Sequence, residues 1–124
     1  MNNILGIGSD IIEVDRIKKS IDKHGDHFLT RLFSPDEIKY CFEHKHPEIR
    51  VAGRFAAKEA VAKALGTGFG KKLQWNDFKI LNTSSGKPEV FFQEKILAEM
   101  KNVNVLITIS HCEKYAVAFA LRVS

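Results

Sequence analysis

The stretch GRFAAKEAVAKALGTGFG, residues 53–70, constrains the fold of this chain more than any other. Alanine is the strongest helix former, and nothing inside the run breaks a helix. The His-Pro pair at 46–47 interrupts the chain upstream, because proline disfavours helix in the residue before it. Gly66 supplies a stop. A long helix over roughly 48–65 is therefore predicted. Much of its surface is apolar, yet it carries Arg54, Lys58, Glu59 and Lys63. Three cations surround one carboxylate, and a glycine-rich loop follows.

Two readings fit this cluster. Glu59 and Lys63 are four residues apart on one face, the spacing of an ordinary surface ion pair. Arg54 and Lys58 share that spacing. The same set also suits a phosphate-bearing ligand with a divalent cation: Arg and Lys hold phosphate oxygens, while Glu holds metal or accepts a proton. The loop GTGFG at 66–70 follows its helix, whereas a P-loop precedes its helix and ends in GK[ST]. It is either a helix C-cap or a backbone that passes close to a ligand.

Around this helix the chain mixes element types. Residues 3–9 read as a short buried strand with glycines at close-approach points. IIEVDRIKKSIDKHG reads as a helix with Val14, Ile17 and Ile21 on its buried side and Gly25 as its stop. Its other side carries Arg16, Lys18, Lys19 and Lys23. FLTRLF suggests a helical turn. SPDEIKYCFEH opens with a capping box of Ser34 and Glu37, with Pro35 at the first helical position. LQWNDFKIL and EVFF are strands joined by the turn NTSSGKP, and QEKILAEMK is a further helix. NVLITIS alternates as a strand does, and YAVAFALRV is apolar enough to be a central one. Without a regular βαβ rhythm, the class expected is α+β, one domain over 1–124, with a long helix on a mainly antiparallel sheet.

Two more sites carry candidate chemistry. GIGSD at 6–10 lacks the third glycine of a dinucleotide-binding turn. Asp10 falls where the strand is expected to end and the helix to begin. It is either a helix cap or a hard-metal ligand. Magnesium is usually held by one or two carboxylates plus substrate phosphates, and Asp10 with Glu59 would meet that need. His111 shares parity with Val105, Ile107 and Ile109, so it is either a half-buried structural residue or a ligand contact at a strand end. The remaining histidines show no zinc-like spacing.

The net charge of +4 fits an anionic ligand, an acidic protein or nucleic acid. A hydrophobic fraction of 44% argues against disorder, and no apolar run is long enough to span a membrane. MNNILGIGSD has no basic region ahead of its apolar residues, so it does not read as a secretory signal. Cys41 and Cys112 form no CxxC motif and suit a reducing, cytoplasmic setting.

Three segments, GIGSDIIEVDRI at 6–17, GRFAAKEAVAKALGTG at 53–68 and ISHCEKYAVAFAL at 109–121, closely resemble the holo-acyl-carrier-protein synthase family of small bacterial 4′-phosphopantetheinyl transferases. GKP at 86–88 fits the same pattern, and the resemblance covers essentially the whole chain in order. It implies the compact fold of that family. It also implies transfer of phosphopantetheine from coenzyme A to a serine of apo acyl carrier protein, with magnesium required. Residue by residue, it implies that Asp10 and Glu59 hold the metal, and that Asp10, Glu59 and Lys63 carry catalysis. Arg54 and Lys58 would serve the coenzyme A phosphates. Gly66, Thr67 and Gly68 would lie near the nucleotide, Gly86, Lys87 and Pro88 near the adenine, and Ser110 and His111 near the phosphates. Cys112 departs from the polar residue more often expected there. Arg16, Lys18, Lys19 and Lys23 would dock the acidic carrier protein. The family forms homotrimers with interfacial sites, which would put Asp10 and the Glu59 helix of each site on different chains. Nucleic acid and membrane are not among the implied partners. A non-enzymatic basic module is the competing reading; it accounts for the charge but not for Asp10 and Glu59.

Overall fold

The computed structural model describes residues 3–101 and 103–124. In chain order the elements are β1 (Ile4–Glu13), α1 (Val14–His24), α2 (Asp26–Leu32), α3 (Pro35–Phe42) and α4 (Pro47–Leu65). A 3-10 turn (Trp75–Asp77), β2 (Phe78–Asn82), β3 (Pro88–Phe92), α5 (Glu94–Glu99), β4 (Asn104–His111) and β5 (Tyr115–Val123) follow. Strands β1, β5 and β4 form an antiparallel sheet in that order, and β2 and β3 form a separate hairpin. The α+β expectation holds, and YAVAFALRV is the central strand.

Helix α4 packs across one face of the three-stranded sheet. Small residues on both surfaces bring the layers close. Ala118 and Ala120 of β5 share one buried cluster with Ala56, Ala60 and Ala64 of the helix, and Ala116 shares the other with Ala52. Two glycines of β1 make the approach closer still. A Cβ on Gly8 would lie 2.0 Å from the Ala60 carbonyl oxygen, and one on Gly6 would lie 1.9 Å from that of Ala64. Only glycine fits at either position.

The first strand is longer than its sequence suggests. Its pairing with β5 continues to Glu13 opposite Tyr115, so Asp10 lies within the strand and not at a helix start. The β-branched Ile11 and Ile12 suit a pleated strand, and α1 begins only at Val14. Asp10 is therefore no helix cap. LQWNDFKIL divides similarly. Its first part forms the 3-10 turn, held by Gln74 N–H donating to Asp77 Oδ2 at 2.8 Å, and only its second part is strand.

The capping box of α3 is present: Ser34 N–H donates to Glu37 Oε1 at 2.9 Å, and Glu37 N–H donates to Ser34 Oγ at 3.3 Å. Glu37 does more than cap. Its carboxylate is fully buried, lies 3.0 Å from Lys58 Nζ, and accepts the Ile80 N–H at 2.9 Å. Lys58 also donates to the carbonyls of Leu32, Trp75 and Phe78 at 2.8, 2.9 and 3.0 Å. This corrects the expectation for Lys58. Its ammonium is fully buried and all its protons are taken, so it cannot reach a phosphate. Burial lowers its pKa, and the Glu37 carboxylate opposes that shift.

Among the described residues, nothing covers the sheet face away from α4. Ile7 and Leu106 flank Leu121 there, Phe119 lies one pair further on, and Ile11 flanks Val117. Ile7 and Ile11 are 69% and 64% exposed and Phe119 is 50%, a contiguous apolar surface of the kind that marks an interface. Among the described residues, no helix is long and apolar enough to cross a membrane.

Candidate active site

Two clusters of functional side chains lie on opposite edges of the helix-on-sheet layer. The first is built by the glycines of β1. Gly6, Gly8 and Asp10 share one parity, so the face that presses on α4 also directs Asp10 toward the helix. Lys63 Nζ sits 3.5 Å from Asp10 Oδ1 and donates to the Ser9 carbonyl at 2.8 Å. One turn back on α4 is the half-buried Glu59. Burial raises the Glu59 pKa most, the charge of Asp10 raises it further, and Lys63 opposes both. Asp10, Glu59 and Lys63 therefore share one electrostatic site within a single chain. This corrects the expectation that Asp10 and the Glu59 helix come from different chains.

The donor set fits a hard divalent cation. Two carboxylates converge, and their mutual repulsion is what a cation would relieve. Among the described residues, no group of three or more His, Cys, Asp or Glu side chains converges. Asp10 and Glu59 are a carboxylate pair of the kind that suits such a cation.

The second cluster is a cleft of about 180 Å³ between α4, the β2–β3 turn and the end of β4. Four residues named from sequence meet there: Arg54, Gly86, Pro88 and His111. The Arg54 guanidinium stacks over Tyr40 at 4.4 Å, and its Nη2 donates to Asn82 Oδ1. Its Nε is buried without a partner. Gly53 lets β4 approach, since a Cβ there would lie 3.1 Å from Ile109 Cγ2. His111 faces the cleft with its parity mates and is exposed, not half-buried. Lost hydration lowers its pKa most, followed by the charges of Arg50 and His44.

The register defines the separation. Asp10 pairs with Ala118, which pairs with Ile109, while His111 pairs with Ala116, which pairs with Ile12. The two clusters thus stand two strand spacings apart, about 10 Å, on either side of α4.

The remaining sequence-named residues lie outside the cleft. Gly66, Thr67 and Gly68 form the C-terminal cap of α4, with Gly66 at φ 79° and its N–H on the Lys63 carbonyl. They stand about 18 Å along the helix from Arg54. Thr67 buries an unpartnered hydroxyl there. Ser110 points to the outer sheet face, and Lys87 lines a separate groove beside β4. Arg16, Lys18, Lys19 and Lys23 are exposed on α1, and Lys19 pairs with Asp15 at 3.0 Å. Sequence reasoning missed Arg50, Tyr40 and Asn82, all in the cleft. For Arg50 a signal existed, since it stands one helical turn before Arg54.

A family model described as the 4′-phosphopantetheinyl transferase superfamily matches residues 6–120. A holo-[acyl-carrier-protein] synthase of Protochlamydia amoebophila is 50% identical over 117 residues, covering 94% of this chain and 96% of the relative. One from Chlamydia pneumoniae is 47% identical over 118 residues, covering 95% and 96%. The crystal structure of Helicobacter pylori holo-[acyl-carrier-protein] synthase in complex with coenzyme A superposes with a TM-score of 0.87 at 35% identity, covering 95% of this chain and 99% of that one. The Bacillus anthracis enzyme, also in complex with coenzyme A, gives 0.83 at 38% identity, covering 98% and 97%. The chain belongs to the 4′-phosphopantetheinyl transferase superfamily.

Proposed function

We propose that this chain moves the 4′-phosphopantetheine group from coenzyme A to a serine of apo acyl carrier protein in fatty acid biosynthesis, releasing adenosine 3′,5′-bisphosphate. The observation that carries this reading is the convergence of Asp10, Glu59 and Lys63, from segments far apart in sequence, in a chain so similar to holo-[acyl-carrier-protein] synthases.

The nucleophile belongs to the carrier protein, so this chain has to position and neutralise charge. Asp10 and Glu59 would hold magnesium, which when bound supplies charge neutralisation at the pyrophosphate oxygens. Glu59, with its carboxyl raised toward neutrality, is a competent acceptor for the serine proton, and Asp10 is the alternative. Lys63, 3.5 Å from Asp10, would neutralise the departing phosphate. Arg50, Arg54 and His111 form a cationic and hydrogen-bonding cleft for the anionic nucleotide end of coenzyme A. Lys63, not Lys58, is the helix lysine free for phosphate.

The proposal includes a homotrimer. The uncovered apolar sheet face supports assembly, and the separation of the clusters to opposite edges favours sites completed by a neighbouring copy. It includes docking of the acidic carrier on α1. It also includes a cytoplasmic setting, in keeping with the unpaired Cys41 and Cys112. Chromatographic detection of adenosine 3′,5′-bisphosphate from coenzyme A and apo carrier protein, with and without EDTA, tests it. Release that EDTA abolishes is expected; no release from the folded protein with several carriers would overturn it.

A further inference from the structure

We infer that Asn82 is a positioning residue for the cleft, orienting Arg54 and tying the β2–β3 turn to α4 without neutralising the cation. The inference rests on the reading that the cleft receives coenzyme A.

The hairpin of β2 and β3 shares no strand ladder with the three-stranded sheet, so other ties must set its place against α4. Near the start of β2 those ties are buried. Phe78 O accepts from Lys58, Ile80 N–H donates to Glu37, and both side chains enter the core. At the far end of β2 the tie is Asn82. Its Oδ1 accepts from Arg54 Nη2, and its Nδ2 donates to the Gly86 carbonyl at 2.8 Å. The amide thus spans two walls of the cleft, one from the helix and one from the turn. Its orientation follows from chemistry, since only the carbonyl end can accept from a guanidinium and only the NH₂ end can donate to a carbonyl.

No acidic or apolar side chain of similar size does both. Aspartate would accept from Arg54 but could not donate to Gly86 O, and its charge would compete with an anionic ligand for the guanidinium. Alanine would do neither. The neutral amide and the Tyr40 ring hold Arg54 from two sides and leave its full charge, together with its unpartnered Nε, for whatever enters. A preorganised cation loses less on binding than one that must be recruited from several rotamers.

The test compares KM for coenzyme A, kcat and melting temperature in the wild type and in Asn82→Ala, Asn82→Asp and Arg50→Ala. Arg50 lines the cleft and is not a hydrogen-bond partner of Asn82, so it reports whether the cleft takes the substrate at all. The expected result is a KM raised roughly tenfold in Asn82→Ala with kcat changed less than about twofold. Asn82→Asp should raise KM at least as much while melting no lower than Asn82→Ala. If Arg50→Ala raises KM while both Asn82 variants keep the wild-type value, the positioning role is overturned. It is also overturned if kcat falls in step with melting temperature in both Asn82 variants. An unchanged KM in Arg50→Ala would instead overturn the reading of the cleft.

Discussion

Lys63 Nζ lies 3.5 Å from Asp10 Oδ1, joining a strand and a helix 53 residues apart in sequence. That contact converts separate readings of a strand aspartate and a helical ion pair into one site. It exists because Gly6 and Gly8 let β1 lie directly on α4.

Glu59 sits beside Asp10 at a cost that can be measured. Burial and Asp10 raise its carboxyl above its ordinary value, with Lys63 opposing. The folded chain therefore binds a proton more tightly than the unfolded chain. Stability from this group begins to be lost above the ordinary carboxylate pKa and is gone above the raised one. Glu59→Gln should abolish transfer, yet the metal-free variant should melt above the wild type at neutral pH. Calorimetry in buffers stepped upward from the ordinary carboxylate pKa should show the gap widening until Glu59 is fully ionised.

Lys58 should behave as a stability residue. Lys58→Met leaves the Glu37 carboxylate buried without its cation, and such breaks cost about 3–5 kcal/mol. Adding Glu37→Gln should recover part of the loss. Urea unfolding of the two single variants and the double variant checks this, and strictly additive losses would contradict the pairing.

How far the sequence reached depended on whether the signal was local. The α4 boundaries, the Ser34–Glu37 box and the central β5 follow from caps and periodicity within one segment, and all are present. Lys58 and Lys63 could not be told apart, because both sit near Glu59 in the sequence. Five residues on a helix turn them to different sides, one into the core against α3 and one toward Asp10. The choice depends on α3, which no spacing within α4 reports. Asn82 was silent for the same reason, since its meaning lies in Arg54 and Gly86. Asp10 reads as a helix start because Ile11 and Ile12 read as the first residues of the helix, and only their pairing with β5 makes them strand.

Subunit mixing tests the division of the site. Glu59→Gln disables the Asp10 side and leaves the cleft intact. A chain with both Arg50→Ala and His111→Ala does the reverse. If each site draws its two halves from neighbouring copies, co-refolding equal amounts of the two inactive chains should restore roughly a quarter of the wild-type sites by random assembly. No recovery would place both halves of a site on one chain.

Charge reversal on α1 separates the two substrates. Changing Lys19 and Lys23 to Glu should raise KM for the carrier protein by roughly tenfold or more and leave that for coenzyme A nearly unchanged. The wild-type preference should weaken with added salt. Steady-state kinetics at low and high ionic strength measures both, and equal effects on the two substrates would remove α1 as the dock.

The most direct test of the transferase account is the intact mass of apo acyl carrier protein after incubation with this protein, coenzyme A and magnesium, beside an EDTA control and the Glu59→Gln variant. The account predicts a gain of one phosphopantetheine with the wild type alone, and none with EDTA or the variant. The same gain from Glu59→Gln, or in EDTA, would contradict the roles given to Asp10 and Glu59. An unchanged mass across several competent carriers would contradict the transferase itself.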